Sequence, residues 1–206
     1  MKQLLITALQ ENGLTIDETA IQKLIDYLQL LKTWNKVFNL TTITDPRDMV
    51  YLHIIDSLLI QPYLQGKHML DVGSGAGLPG IPLAICYPEQ EWVLLDKNSK
   101  KTRFQTQAIA ELGLKNVKAT HTRSEEFRPT LRFDSIVSRA FGTIQMFVET
   151  AGHLLAPTGK LIAMKGKYPA EELTDIPAHF EVTAINELQV KGIAIERHVV
   201  CLGRCK

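Results

Sequence analysis

The sequence predicts an α/β protein: a mostly parallel, doubly wound sheet with an antiparallel last strand, preceded by an N-terminal helical cap. Three observations carry this. Residues 1–60 space their apolar positions at helical intervals. From His68 onward, short apolar runs alternate with helical segments, the pattern of parallel strands joined by right-handed crossovers. The last two extended runs are joined by a link too short for a helical crossover, so they pair as a hairpin.

Each element has its own signal. Asn12-Gly13 stops a first helix. Asp17 or a neighbour can cap a second, in which Ile21, Leu24, Ile25, Leu28, Leu31, Trp34, Val37 and Phe38 share one face. Asp45-Pro46 starts a third, with a capping side chain followed by proline in the first turn, running through His53 and Asp56 towards Pro62. After Gln65-Gly66 the period changes. Strands are predicted at His68 to Val72, Trp92 to Leu95, Val117 to Thr120, Asp134 to Val137 and Lys160 to Met164, with helices over Pro79 to Cys86, 98–112 and 143–155 between them. Glu181 to Leu188 and Arg197 to Leu202 form the closing hairpin. The change of period sets the expected division: a helical cap over 1–65 and a ligand-binding domain over 66–206.

The composition is that of an ordinary folded chain. In 206 residues, 45% are hydrophobic and 22% charged, which excludes a disordered or fibrous protein. Such a length buries a core without disulfide or metal staples. Cys86, Cys201 and Cys205 match neither a disulfide framework nor zinc spacing, so no metal is expected. The apolar run Ile81 to Tyr87 is far short of the ~18 residues that cross a bilayer. The first residues soon reach Gln10, Glu11 and Asn12 without a cleavage site, so the expectation is a cytoplasmic protein with no membrane partner. Charge is uneven. Residues 97–139 carry ten Lys/Arg against four Asp/Glu, a net +6, which suits either an RNA-facing surface or a solvated helix face.

The chemistry sits in Asp71-Val72-Gly73-Ser74-Gly75-Ala76-Gly77-Leu78-Pro79-Gly80, a loop between a strand and a helix. Open α/β sheets bind ligands there, beyond the carboxyl ends of their strands. A phosphate-binding P-loop needs Gly-Lys-Ser/Thr, and Ile81 follows Gly80. A dinucleotide fingerprint needs Gly or Ala three residues after Gly75, where Leu78 stands. Asp71, Gly73, Gly75 and Gly77 fit instead the acid-x-Gly-x-Gly-x-Gly of Rossmann-like class I methyltransferases that use S-adenosylmethionine (SAM), a ligand with a cationic amino group and a sulfonium but no pyrophosphate. Asp96 ends the second strand, 23 residues after Gly73, where a carboxylate can accept from ribose hydroxyls. Read alone, Asp96 is also a possible cap of the helix that starts near Asn98.

The segment Ser135-Ile136-Val137-Ser138-Arg139-Ala140-Phe141 follows the fourth strand, where the methyl acceptor is held. It lacks the Asn/Asp-Pro-Pro-aromatic motif of exocyclic-amine methyltransferases and the cysteine of a covalent route to C5 of a pyrimidine. Guanine N7 suits such a site, since it offers a lone pair and loses no proton. An oxygen or amine acceptor with an unrecognised base stays open. So do a SAM enzyme for another RNA or a small molecule, a dinucleotide oxidoreductase, and a non-catalytic RNA-binding assembly factor that kept the fold.

Several short motifs resemble one family together: Trp34-Asn35-Lys36 with Asn39-Leu40-Thr41, His53-Ile54-Ile55-Asp56-Ser57-Leu58, Asp71 to Gly80 with the Leu-Pro-Gly-Ile-Pro-Leu ending, and Ser138-Arg139-Ala140-Phe141. The family is ribosomal RNA small subunit methyltransferase G, also called GidB, and the similarity spans essentially the whole chain. The resemblance implies SAM-dependent N7 methylation of one guanine in 16S ribosomal RNA, with that RNA or a small-subunit assembly intermediate as partner of a monomeric enzyme. It places Gly73 and Leu78 in the SAM site, Ser124 and Glu125 beside the adenine, and Arg139 at the junction of cofactor and base. Arg139 suits that place because a guanidinium pairs with anions and stacks on bases. No general base is implied. Lys97, Lys100, Lys101, Arg103, Arg123 and Lys165 are candidate phosphate contacts. His53 and Asp56, at i and i+3, share a helix face and read first as an interdomain hydrogen-bonding pair and second as substrate contacts. Trp34 reads as core.

Overall fold

The computed structural model describes residues 1–205, among which seven strands form one sheet. They are β1 (His68–Val72), β2 (Glu91–Asp96), β3 (Val117–His121), β4 (Phe133–Arg139), β5 (Leu155–Lys165), β6 (Phe180–Glu187) and β7 (His198–Arg204), in the order β3-β2-β1-β4-β5-β7-β6. Pairing is parallel from β3 through β5, and β7 runs antiparallel to both β5 and β6. The closing hairpin therefore forms as expected, but its second strand inserts between β5 and β6 instead of taking the edge. Strand order reverses at β1, so a crevice opens beyond the carboxyl ends of β1 and β4. Met69 to Val72 are all buried, because a central parallel strand is covered on both faces.

The first helices follow their sequence signals. α1 (Lys2–Glu11) ends at Asn12. α2 (Glu18–Phe38) starts at Asp17, whose carboxylate accepts the Ala20 N–H at 2.9 Å, a cap worth ~1 kcal/mol. Its buried face is Ala20, Tyr27 and the stripe from Ile21 to Leu31, while Trp34 and Phe38 further along are only half-buried. Val37 breaks the stripe, being 72% exposed at the helix end. Trp34 stacks on Phe38 and meets the edge of Phe104, with ring centroids 5.2 and 5.8 Å away, as its place on the stripe implied.

The third predicted helix is the main departure. It begins as α3 (Pro46–Met49), capped by Asp45, winds as a π-helix over Val50–Ile55, and returns to α geometry in α4 (Asp56–Leu58) before a 3₁₀ turn at Gln61–Tyr63. A π segment is uncommon and frequents functional sites. Its apolar spacing looks helical in the sequence, so the extra residue per turn leaves no trace there.

The sheet helices are α5 (Gly80–Cys86), α6 (Ser99–Glu111) and α7 (Ile144–Ala151). β5 starts five residues earlier than its apolar run, and β4 extends to Arg139, which therefore ends a strand instead of following one. α5 and α6 cover one sheet face and α2 packs over them, with Leu24, Leu28 and Phe104 in one apolar cluster with Trp92 of β2. α7 covers the other through Phe147, with Ile136, Leu161 and Val200. Among the described residues, no helix is long and apolar enough to cross a membrane, and no group of three His, Cys, Asp or Glu could hold a metal.

Candidate functional site

The loop after β1 is built from glycines for local reasons. Gly73, Gly75 and Gly77 have φ of 69°, 57° and 84°, a region that L side chains rarely adopt. Gly80 answers a different need. A Cβ there would sit 2.3 Å from Leu94 Cδ2, so the first turn of α5 packs directly on β2. The close helix–strand contact that a dinucleotide loop makes at position 78 is made here at position 80, and Leu78 is free to be large and buried.

Asp71, the acid of the motif that the sequence assigns to the cofactor site, lies elsewhere than a cofactor contact requires. The motif put its carboxylate beside the ligand, but the side chain is fully buried beneath the loop, where Oδ2 accepts the Gly80 N–H at 2.9 Å. Burial pushes its pKa up to about 7, against the lowering effects of the Gly80 N–H and of Arg139. Asp71 holds the loop and caps α5. Leu78 is likewise core, 3% exposed, and its N–H donates to the Ser74 carbonyl. Leu78 does not line the cleft. Gly75 and Gly77 shape the loop but do not line the cleft.

The cleft itself has a volume of about 330 Å³ and opens beyond the carboxyl ends of β1 and β2. Val72, Leu95, Phe141 and Met146 give it apolar walls, and Asp96, Ser124 and Glu125 give it acceptors. Gly73 belongs to the wall: a Cβ would lie 2.9 Å from Phe141 Cδ2. Asp96 Oδ2 accepts the Gly75 N–H and Oδ1 the Asn98 N–H, each at 2.8 Å. Each oxygen keeps a second lone pair. The helix-cap reading and the cleft reading of Asp96 are thus compatible. Ser124 is buried and donates to Glu125 Oε2 at 3.2 Å. The Glu125 carboxyl is held below its usual range by its own backbone N–H, then by Ser124 and the charges of Arg123 and Lys97.

Two residues that sequence reasoning passed over complete the loop. The Tyr27 hydroxyl reaches from α2 to donate to the Ala76 carbonyl at 2.8 Å. Gln105 Nε2 donates from α6 to Ser74 Oγ and to the Gly75 carbonyl, both at 2.8 Å. Both interrupt apolar faces with a polar group, which is the only signal the sequence offers.

The candidate cations divide into three sets. Lys97, Lys101 and Arg123 line the cleft. Lys100 and Arg103 are exposed on the outer face of α6. Lys165 is spent: its ammonium bonds Glu172 and the Gly142 carbonyl, both at 2.6 Å, so it does not reach out to phosphate. Arg139 Nη1 bonds the Leu52 carbonyl at 2.8 Å and Asp56 at 3.3 Å. Asp56 therefore links the helical segment to β4. His53 does not join it. Its Nε2 lies 3.2 Å from Thr41 Oγ1, inside the cap, and burial followed by the Arg139 charge pushes its pKa down to about 4.

An apolar slot flanked by carboxylate and hydroxyl acceptors, beside a tight glycine loop, is suited to a nucleoside carrying a cationic tail. Solved structures share this fold. One is a glycopeptide N-methyltransferase, MtfA, complexed with SAM, with a TM-score of 0.61 at 13% identity, covering 81% of this chain and 100% of that one. Another is TrmN from Thermus thermophilus, with a TM-score of 0.59 at 18% identity, covering 73% and 48%. These share the fold. In sequence, the chain is 49% identical to the ribosomal RNA small subunit methyltransferase G of Nitrosococcus oceani, over 92% of this chain and 89% of that one. It is 46% identical to the protein of that name from Hahella chejuensis, over 97% and 92%. The family model described as rRNA small subunit methyltransferase G matches residues 20–200. With this identity across nearly its whole length, the chain belongs to the GidB family, that of rRNA small subunit methyltransferase G.

Proposed function

We propose that this protein transfers a methyl group from SAM to N7 of a guanine in 16S ribosomal RNA. The observation that carries the reading is the cleft at the strand-order reversal, with Asp96 and Ser124-Glu125 around an apolar slot, in a chain of this family. When bound, SAM supplies a methyl group activated on a sulfonium. Asp96 accepts from the ribose hydroxyls, and Ser124 and Glu125 face the adenine. The backbone of Gly73 to Leu78 supports the methionine end, with Tyr27 and Gln105 fixing its shape. Arg139 orients cofactor and base at the end of β4.

N7 carries a lone pair and no proton, so the acceptor side needs positioning and not a base. The chain around Arg139 fits that need. Ser138 Oγ donates to the Val72 carbonyl at 2.8 Å, and Asp56 is committed to guanidinium groups. The division of labour that goes with this is a helical cap over 1–65 and a SAM-binding domain over 66–206. Lys97, Lys101 and Arg123 guide RNA to the cleft mouth, and Lys100 and Arg103 follow it along α6. The test is incubation with methyl-labelled SAM and 16S rRNA or a partly assembled small subunit, then mapping of the label. Label at N7 of a single guanine is the expected result. Label on another atom or another RNA overturns the assignment.

A further inference from the structure

Asp56 is fully buried and binds two guanidinium groups at once. Arg139 Nη1 approaches Oδ2 at 3.3 Å from the end of β4, and Arg197 Nε approaches Oδ1 at 3.0 Å from just before β7. One carboxylate neutralises one of the two cations, so the trio keeps a net positive charge. A single arginine would suffice to tie the helical segment to the sheet. The second adds desolvation cost without improving that tie.

The geometry leaves both arginines open to a partner. Their side chains are 25% and 26% exposed, against 1% for Asp56. The bonds to protein use Nη1 of Arg139 and Nε and Nη1 of Arg197, the latter to the Glu196 carbonyl at 3.0 Å. Nε and Nη2 of the first and Nη2 of the second keep donor capacity. β4 runs parallel to β5, with Arg139 opposite Met164, and β7 runs antiparallel, with His198 opposite Lys165. Both arginines therefore stand at the end of the sheet that carries the glycine loop, beyond the carboxyl ends of its parallel strands. Of the acids near this end of the sheet, Glu172 is paired with Lys165, Glu196 accepts the Tyr168 N–H at 3.2 Å, and Asp71, which feels the Arg139 charge, is buried beneath the loop with its Oδ2 on the Gly80 N–H.

We propose that Arg139 and Arg197, held side by side by Asp56, form a phosphodiester-binding site for the RNA strand next to the base being methylated. Arg197 is the phosphate contact that the sequence reading did not include, and Asp56 is a positioning residue. Planar, always-charged guanidinium forks match phosphate oxygens, and a shared buried carboxylate fixes the spacing of the two forks. The proposal rests on the RNA reading above.

The test measures binding of a 16S rRNA transcript by the full-length protein across a series of salt concentrations, with SAM affinity measured separately by calorimetry. Arg197→Gln is expected to weaken RNA binding about tenfold at low salt and to lower the log–log salt slope by about 0.7, the value of one phosphate contact on a single strand. SAM affinity is expected to stay within about twofold. Arg197→Lys is expected to keep the slope, because the charge remains, but to lose affinity with the fork. A wild-type slope in Arg197→Gln overturns the proposal. So does a loss of SAM affinity at unchanged slope, which assigns the pair to the methionine carboxylate. If Arg197→Gln does not fold, wild-type RNA affinity in Arg197→Lys overturns it. Failure of the RNA reading itself looks different, since the wild-type protein then shows no salt-dependent binding of the transcript.

Discussion

Asp71 stands one residue before the end of β1 and Asp96 ends the neighbouring β2, and the two buried carboxylates have different tasks. Asp71 is enclosed and serves the loop, whereas Asp96 borders the cleft and keeps acceptor capacity. Asp96→Ala is expected to weaken SAM binding by ~1–3 kcal/mol through loss of charge-assisted hydrogen bonds. The bonds to Gly75 and Asn98 go with it, but the apolar core does not, so calorimetric SAM affinity should fall while cooperative unfolding persists. Undiminished SAM affinity would remove Asp96 from the site. His53 gives a pH test. With a folded pKa of about 4 against an ordinary 6.5, it binds its proton only in the unfolded chain between those values. Its contribution to stability is therefore complete above pH 6.5 and is lost as pH falls towards 4, a total on the order of 3 kcal/mol. Asp71, with a folded pKa of about 7, acts in the opposite sense: its contribution is present at low pH and is lost as pH rises through 7. The two slopes oppose each other in the wild type. His53→Gln should leave the Asp71 slope exposed, so that urea stability falls between pH 4.5 and 6.5. A pH profile parallel to wild type in that variant would show that His53 is not buried neutral.

At the scale of elements, α6 has two working faces. Lys101 turns towards the cleft, where its ammonium is 3.9 Å from the place a Cβ on Gly75 would take, and Gln105 holds the loop one turn further on. Lys100 and Arg103 point outward. Replacing all three cations together would mix cofactor and RNA effects, because Lys101 sits on the cofactor side. The pair Lys100→Ala and Arg103→Ala should lower the salt slope of RNA binding, by up to about 0.7 per lost phosphate contact, and leave SAM affinity unchanged. A slope equal to wild type would make this face merely solvated. The π segment is the other element that matters. It presents the Leu52 carbonyl and the Asp56 carboxylate to Arg139, and so connects the helical residues to the acceptor end of β4.

At the scale of the whole molecule, loop and acceptor strand meet at one end of the sheet, and on the N7 reading the transfer step needs no base. Single-turnover methyl transfer with SAM and 16S rRNA both saturating should then be nearly flat between about pH 6 and 9. Asp71 titrates inside that range, but it does so within the loop, so its effect belongs to SAM affinity and saturation removes it. Arg139→Ala should slow the step by up to ~10²-fold through misplacement, without adding a pH dependence. A tenfold rise in rate per pH unit would indicate an essential deprotonation and count against N7.

The sequence by itself determined the doubly wound sheet, the caps at Asp17 and Asp45, the glycine loop and the hairpin at the end. These are local matters: apolar period, capping side chains, positive φ and loop length act over a few residues. Its place at a strand end marked Asp96 as a candidate partner of a ribose, whereas Ser124 and Glu125 entered only through the family resemblance. Only the tertiary structure decided that Asp71 is buried beneath the loop, that Gly80 makes the close contact on β2, that Lys165 is spent on Glu172, and that β7 slides between β5 and β6. It alone brought Arg197 to Asp56, 141 residues away in the chain. Burial and ion pairing depend on which elements pack together, and no local pattern encodes a partner that distant.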